Sequence, residues 1–251
     1  MKKTASIILA AGKGTRMQSE KPKVIHQLAQ KAMITRVIET AQKVNSELIA
    51  TVVGYKKEEV IAIIPQNDKI KFIEQKEQNG TGHAVMVTEN TFKNFDGNIF
   101  ILCGDVPLLR HQTLEKILAH HLAENAVCTV LTAVMDDALK YGRIVRNETG
   151  NVLKIVEFKD ATDSQKEIKE INTGIYCFDS KSLFDALSQI TNKNNQNEYY
   201  LTDTLEILNN ENKLVTSVLL DDMIEAAGVN SKEQLAELET EYFKRQQHFD
   251  E

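Results

Sequence analysis

An α/β fold with a mostly parallel, mixed sheet and helices on both faces is predicted by three features of the 251-residue sequence. Short apolar runs alternate with amphipathic stretches through residues 7–134, in the order β, α, β, α, β, α, β, α, β. Two of the runs, 7–11 and 98–103, are strongly apolar, as strands covered on both faces require. Both lead directly into a glycine, Gly12 and Gly104, where the chain leaves the sheet.

The elements follow in order. Residues 7–11 (Ile-Ile-Leu-Ala-Ala) read as a central strand and 12–23 as a polar loop. Residues 32–44 place Met33, Val37, Ala41 and Val44 at helical spacing. A strand at 47–53 closes at Gly54, and a helix at 58–64 stops at Pro65, which removes a donor and disfavours helix before it. A short strand at 71–74 precedes a helix at 81–89 opened by Gly80-Thr81-Gly82. Then come a strand at 98–103, a helix at 113–125 and a β-rich run at 127–134.

The middle changes character. Strands at 143–146 and 152–157 flank Glu148-Thr149-Gly150-Asn151, a hairpin turn. A polar helical insertion is expected over 160–170, a strand over 172–178, helices over 180–189 and 201–209 with a polar loop at 192–197, and a strand over 214–219. A long amphipathic helix begins at Ser231, with Ser231 and Gln234 spaced as a capping box. The expected division is a domain over 1–228 and a C-terminal linker helix over 229–251.

Composition narrows the function. Apolar residues make up 42% and charged residues 26%, which excludes a disordered tail or a fibre. A net charge of -6 argues against sequence-wide binding to nucleic acid or anionic membranes, and leaves room for one local basic site. The apolar stretch at 5–11, broken by Ser6, is too short to span a bilayer. Three cysteines, Cys103, Cys128 and Cys177, lie far apart without metal-ligand or redox spacing. A cytoplasmic location is the expectation.

The run Leu9-Ala-Ala-Gly-Lys-Gly-Thr-Arg-Met17 follows a strand, and its glycines let backbone N–H groups turn toward an anion. Between Gly12 and Lys23, four basic residues (Lys13, Arg16, Lys21, Lys23) face one acid, Glu20, which favours a phosphate-rich ligand. The spacing fits neither a Walker A loop nor the dinucleotide fingerprint, whose third glycine is replaced by Met17. Taken by itself, the loop is read equally well as an ordinary turn. Cys103-Gly104-Asp105 ends a strand where open α/β sheets bind ligands, and a carboxylate there suits Mg²⁺ or a simple turn. Gln75 with Gly80-Thr81-Gly82 offers amide and backbone groups for the edge of a flat base, or a turn capped by Thr81. His83 has no partner at ligand spacing and reads as structural. Tyr141-Gly142-Arg143, Glu157, Asn172-Thr173-Gly174 and Glu198-Tyr199-Tyr200 are polar loop ends suited to a hydroxylated ligand such as a sugar.

Together these stretches resemble the N-terminal pyrophosphorylase domain of bacterial N-acetylglucosamine-1-phosphate uridylyltransferases. The matching segments are LAAGKGTRM at 9–17, KPKVIH at 21–26, EQNGTGHA at 77–84, GDVPL at 104–108, YGRIVR at 141–146, KIVEFKDATDSQ at 154–165, EINTGIY at 170–176, NEYYLTD at 197–203 and GVN at 228–230. The first marks the wider sugar-nucleotidyltransferase group, and the later ones point to the N-acetylglucosamine enzyme within it.

The resemblance implies a Rossmann-like nucleotide-diphospho-sugar transferase fold and a residue-by-residue site. Leu9, Ala10, Ala11 and Gly12 would line the nucleotide, while Arg16 and Lys23 would hold the triphosphate as catalytic groups. Gln75, Gly80 and Thr81 would recognise uracil, and Cys103 and Gly104 would lie beside the nucleotide. Cys103 departs from the aromatic residue many members carry. Asp105 and Asn230 would bind Mg²⁺, and Gly142, Glu157, Asn172 and Thr202 would hold the amino sugar. The implied partners are UTP and N-acetylglucosamine 1-phosphate, in synthesis of cell-wall precursors, with no nucleic acid or membrane. No hexapeptide repeat occurs in the 251 residues, so acetyl transfer, acetyl-CoA binding and a β-helix trimer are not expected of this stretch, and a monomer or weak oligomer is. Uridylyl transfer to another hexose 1-phosphate (N-acetylmuramic acid or glucose), transfer of another nucleotide, and a non-catalytic UDP-sugar sensor are the competing readings.

Overall fold

The computed structural model describes residues 2–138 and 140–247. The first half contains β1 (Lys3–Ala10), a two-residue hairpin of β2 (Gln27–Leu28) and β3 (Lys31–Ala32), α1 (Met33–Lys43), β4 (Ile49–Val53), α2 (Lys57–Ile63), β5 (Ile70–Glu74), α3 (Thr81–Met86), α4 (Glu89–Phe92), β6 (Gly97–Cys103) and α5 (His111–Ala123). The second half contains β7 (Cys128–Val134), β8 (Arg143–Arg146), β9 (Val152–Val156), α6 (Asp163–Lys166), β10 (Glu170–Asp179), α7 (Ser180–Leu187), α8 (Asp203–Asn210), β11 (Val215–Leu219) and α9 (Lys232–Gln247).

The main sheet runs β11-β7-β10-β6-β1-β4-β5, with β8 and β9 attached through β10. β6, β1, β4 and β5 are mutually parallel, and β11 is parallel to β7. β10 runs antiparallel to both of its neighbours, β6 and β7, which makes the sheet mixed. Successive side chains of a strand face opposite sides, so Ile7 and Ile8 of β1 enter different cores. Ile8 packs with Val37 and Ala41 of α1, Val60 of α2 and Leu114 of α5. Ile7 packs with Val85 of α3, Leu183 of α7 and Leu205 of α8. Both faces of β1 are therefore dry, and the apolar run required by that placement is the one found at 7–11.

A third, smaller core explains the docking of α9. Met17, Leu28, Met33, Val229 and Leu238 are buried together, joining the basic loop, the β2–β3 hairpin and the C-terminal helix. Tyr242 of α9 also stacks under Arg36, 4.9 Å from its guanidinium carbon. The segment after residue 228 is thus packed against the loop that follows β1.

Several expectations are corrected in detail. The helix expected over 81–89 divides into α3 and α4, and the polar insertion over 160–170 reduces to the single turn of α6. That turn carries a full capping box between Thr162 and Gln165. The strand expected at 172–178 begins two residues earlier, because Glu170 pairs with Val134. Among the described residues no helix is long and apolar enough to cross a membrane.

Candidate active site

The four parallel strands β6, β1, β4 and β5 end on one edge of the sheet. From β1 the chain continues to β4 on one side, while β6 lies on the other. A crevice opens where the strand order reverses in this way. Leu9 pairs with Cys103 across it, and the Gly104 N–H donates to the Leu9 carbonyl at 2.9 Å. A cleft of about 320 Å³ lies at this edge. Leu9, Ala10, Ala11, Gly12, Lys23, Gln75, Gly80, Thr81, Cys103 and Asp105 line it, together with Gln78 and Glu198.

Two roomier depressions, of about 530 and 600 Å³, lie along α3, α4 and α7. Neither is lined by Arg16, Lys23, Asp105 or Asn230, so size does not decide the site.

The basic loop is held from both ends. The Ala11 carbonyl accepts from the Tyr55 N–H at 3.0 Å and from Gln78 Nε2 at 2.8 Å. Met17 is anchored in the small core, while Arg16 beside it is exposed. Gly14 has φ 67°, and a Cβ there would lie 2.5 Å from Lys23 Cβ. Glycine at 14 therefore lets the loop close over Lys23.

Lys23 then reaches across to residues far away in sequence. Its ammonium donates to Asp105 Oδ2 and, at 3.1 Å, to Asn230 Oδ1. Arg16 Nη2 donates to the same Asn230 oxygen at 2.9 Å. Asp105 stands just past β6, and Asn230 just before α9. The Val229 N–H donates to the Asp105 carbonyl at 3.0 Å, which pins the two segments side by side. Gln234 Oε1 accepts from the Asn230 N–H at 2.8 Å, and Ser231 Oγ accepts from the Gln234 N–H at 3.3 Å. The expected capping box is thus half formed: Ser231 caps as anticipated, and the Gln234 side chain holds Asn230 rather than Ser231.

Asp105 and Asn230 fit a hard divalent cation. Both offer oxygen, and both oxygens already bind one ammonium. Among the described residues no group of three or more His, Cys, Asp or Glu is arranged to hold a metal. That donor set is poor for zinc or calcium and suits Mg²⁺, which takes one or two protein oxygens and completes its shell with water and phosphate.

Cys103 is the last residue of β6. Burial, reinforced by Asp105, pushes its thiol up to about 12, and Lys23 offsets this only in part. The neutral thiol donates to the Gly174 carbonyl at 3.5 Å and forms a wall of the cleft.

On the far side from Asp105, Gly80 has φ 105°, and a Cβ there would lie 2.5 Å from the Tyr199 carbonyl oxygen. Only glycine lets the 79–82 turn lie this close to residues 198–200. Thr81 is the first residue of α3 and not its cap: its hydroxyl accepts from the Leu201 N–H at 3.1 Å. Gln75 is buried, and its Nε2 lies 3.1 Å from both the Gly80 carbonyl and His83 Nδ1. His83 therefore has a partner, eight positions upstream, that its spacing did not reveal.

The remaining predicted residues gather next to this cleft. Thr202 Oγ1 donates to Glu157 Oε1 at 3.1 Å. Burial holds the Glu157 carboxyl above the ordinary range, and that hydrogen bond opposes the shift. The Asn172 N–H donates to the Gly142 carbonyl at 2.9 Å, and Asn172 Oδ1 accepts from the Gly174 N–H at 3.0 Å. A Cβ on Gly142 would lie 3.5 Å from Glu157 Oε2 and 3.6 Å from Asn172 Cβ. A register irregularity in β10 between Asn172 and Tyr176 turns this stretch toward Cys103. Burial, with Asp105 adding to it, raises the Tyr141 phenol above its usual value.

Sequence reasoning left out Gln78, which grips the loop, and Gln234, which orients Asn230. The second carried a signal, the capping-box spacing, that pointed one residue away from its true partner.

Residues 5–225 match the family model described as nucleotidyl transferase. The chain is 46% identical over 243 residues to Bifunctional protein GlmU of Lactococcus lactis subsp. lactis (strain IL1403). It is 48% identical over 236 residues to Bifunctional protein GlmU of Limosilactobacillus reuteri (strain DSM 20016). These alignments cover 97% and 94% of this chain but 53% and 51% of those relatives, so the chain spans about half their length. Among solved structures, UDP-glucose pyrophosphorylase complexed with UDP-glucose is similar with a TM-score of 0.77, covering 98% of this chain and 100% of that one. At 19% identity that likeness speaks for the fold alone. The chain belongs to the nucleotidyl transferase family and is homologous to the N-terminal half of the GlmU proteins.

Proposed function

We propose that the chain transfers UMP from UTP to N-acetylglucosamine 1-phosphate, giving UDP-N-acetylglucosamine and pyrophosphate for synthesis of peptidoglycan and lipopolysaccharide precursors in the cytoplasm. The observation that carries the proposal is the convergence of Arg16, Lys23, Asp105 and Asn230 at the switch-point crevice. On one side of it lies the Gln75–Gly80 edge, and on the other Gly142, Glu157, Asn172 and Thr202.

A phosphate oxygen of the sugar phosphate attacks the α-phosphorus of UTP. One P–O bond forms as the bond to the departing pyrophosphate breaks. The attacking phosphate monoester has a second pKa of about 6, so it is largely dianionic at neutral pH and needs no base to remove a proton. Cys103 donates to the Gly174 carbonyl and His83 Nδ1 lies against Gln75, so neither is needed as a base in this reading.

What remains for the protein is positioning and charge neutralisation. Arg16 and Lys23 face the triphosphate and offset charge gathering on the leaving pyrophosphate. Asp105 and Asn230 are the residues that would hold Mg²⁺, whose chemistry is to screen the mutual repulsion of two polyanionic phosphates. Thr202 and Asn172 fix the Glu157 carboxyl and the β10 backbone, a neutral-to-anionic hydrogen-bonding wall suited to sugar hydroxyl and amide groups.

Pyrophosphate release with UTP, Mg²⁺ and a panel of sugar 1-phosphates tests this reading. The expected result is a kcat/KM for N-acetylglucosamine 1-phosphate at least about tenfold above that for glucose 1-phosphate or N-acetylmuramic acid 1-phosphate, the scale a few specific contacts supply. A preference for another sugar reassigns the substrate. Tight UDP-sugar binding without turnover points to a sensor.

A further inference from the structure

Gln75 has more constraint on it than base recognition alone needs. Its carboxamide is buried, and its Nε2 lies 3.1 Å from the Gly80 carbonyl and 3.1 Å from His83 Nδ1. A carboxamide nitrogen carries two hydrogens and accepts nothing. The Gly80 carbonyl is an acceptor only, so one hydrogen is committed to it. The second hydrogen lies on His83 Nδ1, which must then be the unprotonated ring nitrogen of a neutral imidazole carrying its proton on Nε2. With both hydrogens used, the polar atom that Gln75 has left for a ligand in the cleft is Oε1, an acceptor.

That orientation distinguishes pyrimidines. Uracil presents an N3–H donor, whereas cytosine presents a lone pair at N3. An acceptor fixed toward that position bonds the first and repels the second. If the amide turned over, Oε1 would face the Gly80 carbonyl, an acceptor in every state, and an imidazole protonated on Nε2 would lose the donor to its Nδ1, so the backbone carbonyl sets the orientation and this tautomer of His83 reinforces it. We infer that His83 is a positioning residue that selects uracil over cytosine by locking the Gln75 carboxamide with its oxygen toward the base. This inference rests on the proposed use of UTP and adds a specificity role to a residue outside the predicted substrate contacts.

The test compares UTP with CTP in pyrophosphate release for the wild type, His83→Leu and His83→Asn. Leucine removes the acceptor, while asparagine can place its Oδ1 where the imidazole Nδ1 stood. The expected result is a UTP-to-CTP ratio of kcat/KM that falls roughly tenfold or more in His83→Leu, the worth of one hydrogen bond. His83→Asn should recover most of it. A global loss of activity that scales both nucleotides equally in a folded His83→Leu would overturn the inference and leave UTP use intact. A wild type that uses CTP as well as UTP would overturn both. If the leucine variant does not fold, ¹⁵N spectra of the wild-type histidines decide. His83 with its proton on Nε2 supports the lock, and a proton on Nδ1 refutes it.

Discussion

Arg16→Ala is expected to lower kcat about 10²–10³-fold, roughly 3–4 kcal/mol, while UDP-N-acetylglucosamine binding changes by no more than about threefold. The asymmetry follows from where Arg16 sits. It is exposed, and its hydrogen bond goes to Asn230 Oδ1, which Lys23 also satisfies. Removing it strands no buried group and leaves the cleft standing. On the proposed reading, what disappears is a positive charge facing the phosphates that would leave as pyrophosphate and are absent from the UDP-sugar product. An interaction made mainly as the leaving group departs appears in kcat and not in product affinity. Steady-state pyrophosphate release, paired with calorimetric titration of UDP-N-acetylglucosamine, reads both quantities. Equal losses in both would assign Arg16 to plain binding.

Asp105→Asn carries the second large expectation. The substitution keeps the size of the side chain and removes its charge, so the Lys23 ammonium retains hydrogen-bonding partners and the local fold should survive. Turnover should fall by about 10²–10³-fold, the cost of losing one preorganised electrostatic contact at a phosphoryl centre. Raising Mg²⁺ to tens of millimolar, roughly the range in which weak carboxylate sites fill, should not restore it. Wild-type enzyme in excess chelator should be inactive, and turnover there would count against the metal claim.

The fold was legible where periodicity is strong. The apolar runs at 7–11 and 98–103 became the adjacent parallel strands β1 and β6, because a strand with a core on both faces favours apolar residues at successive positions. The antiparallel course of β10 was not legible: its residues pattern like those of any buried strand, and direction is decided by which neighbours it meets. The β2–β3 hairpin was hidden by its size, two residues a side.

The residues that converge at the candidate site were legible in type and chain order, through the resemblance, and not through spacing. Nothing in the sequence brings Asn230 to Asp105. A backbone bond from Val229, the Gln234 side chain and the small core around Met17 do so, and each depends on the docking of α9. His83 was read as structural because its partner is an amide and not a metal or an acid. Thr81 was read as a possible cap, while its hydroxyl faces Leu201 on a segment 120 positions away.

The central claim is that Asp105 and Asn230 grip one divalent cation beside the Arg16–Lys23 pair. Electron paramagnetic resonance of Mn²⁺ in the presence of UTP measures it, using wild type, Asp105→Asn and Asn230→Ala at matched concentrations. Tight Mn²⁺ retention in the wild type, weakened in each variant by about tenfold or more, is the predicted result. Identical retention by all three proteins would place the ion elsewhere and contradict the claim.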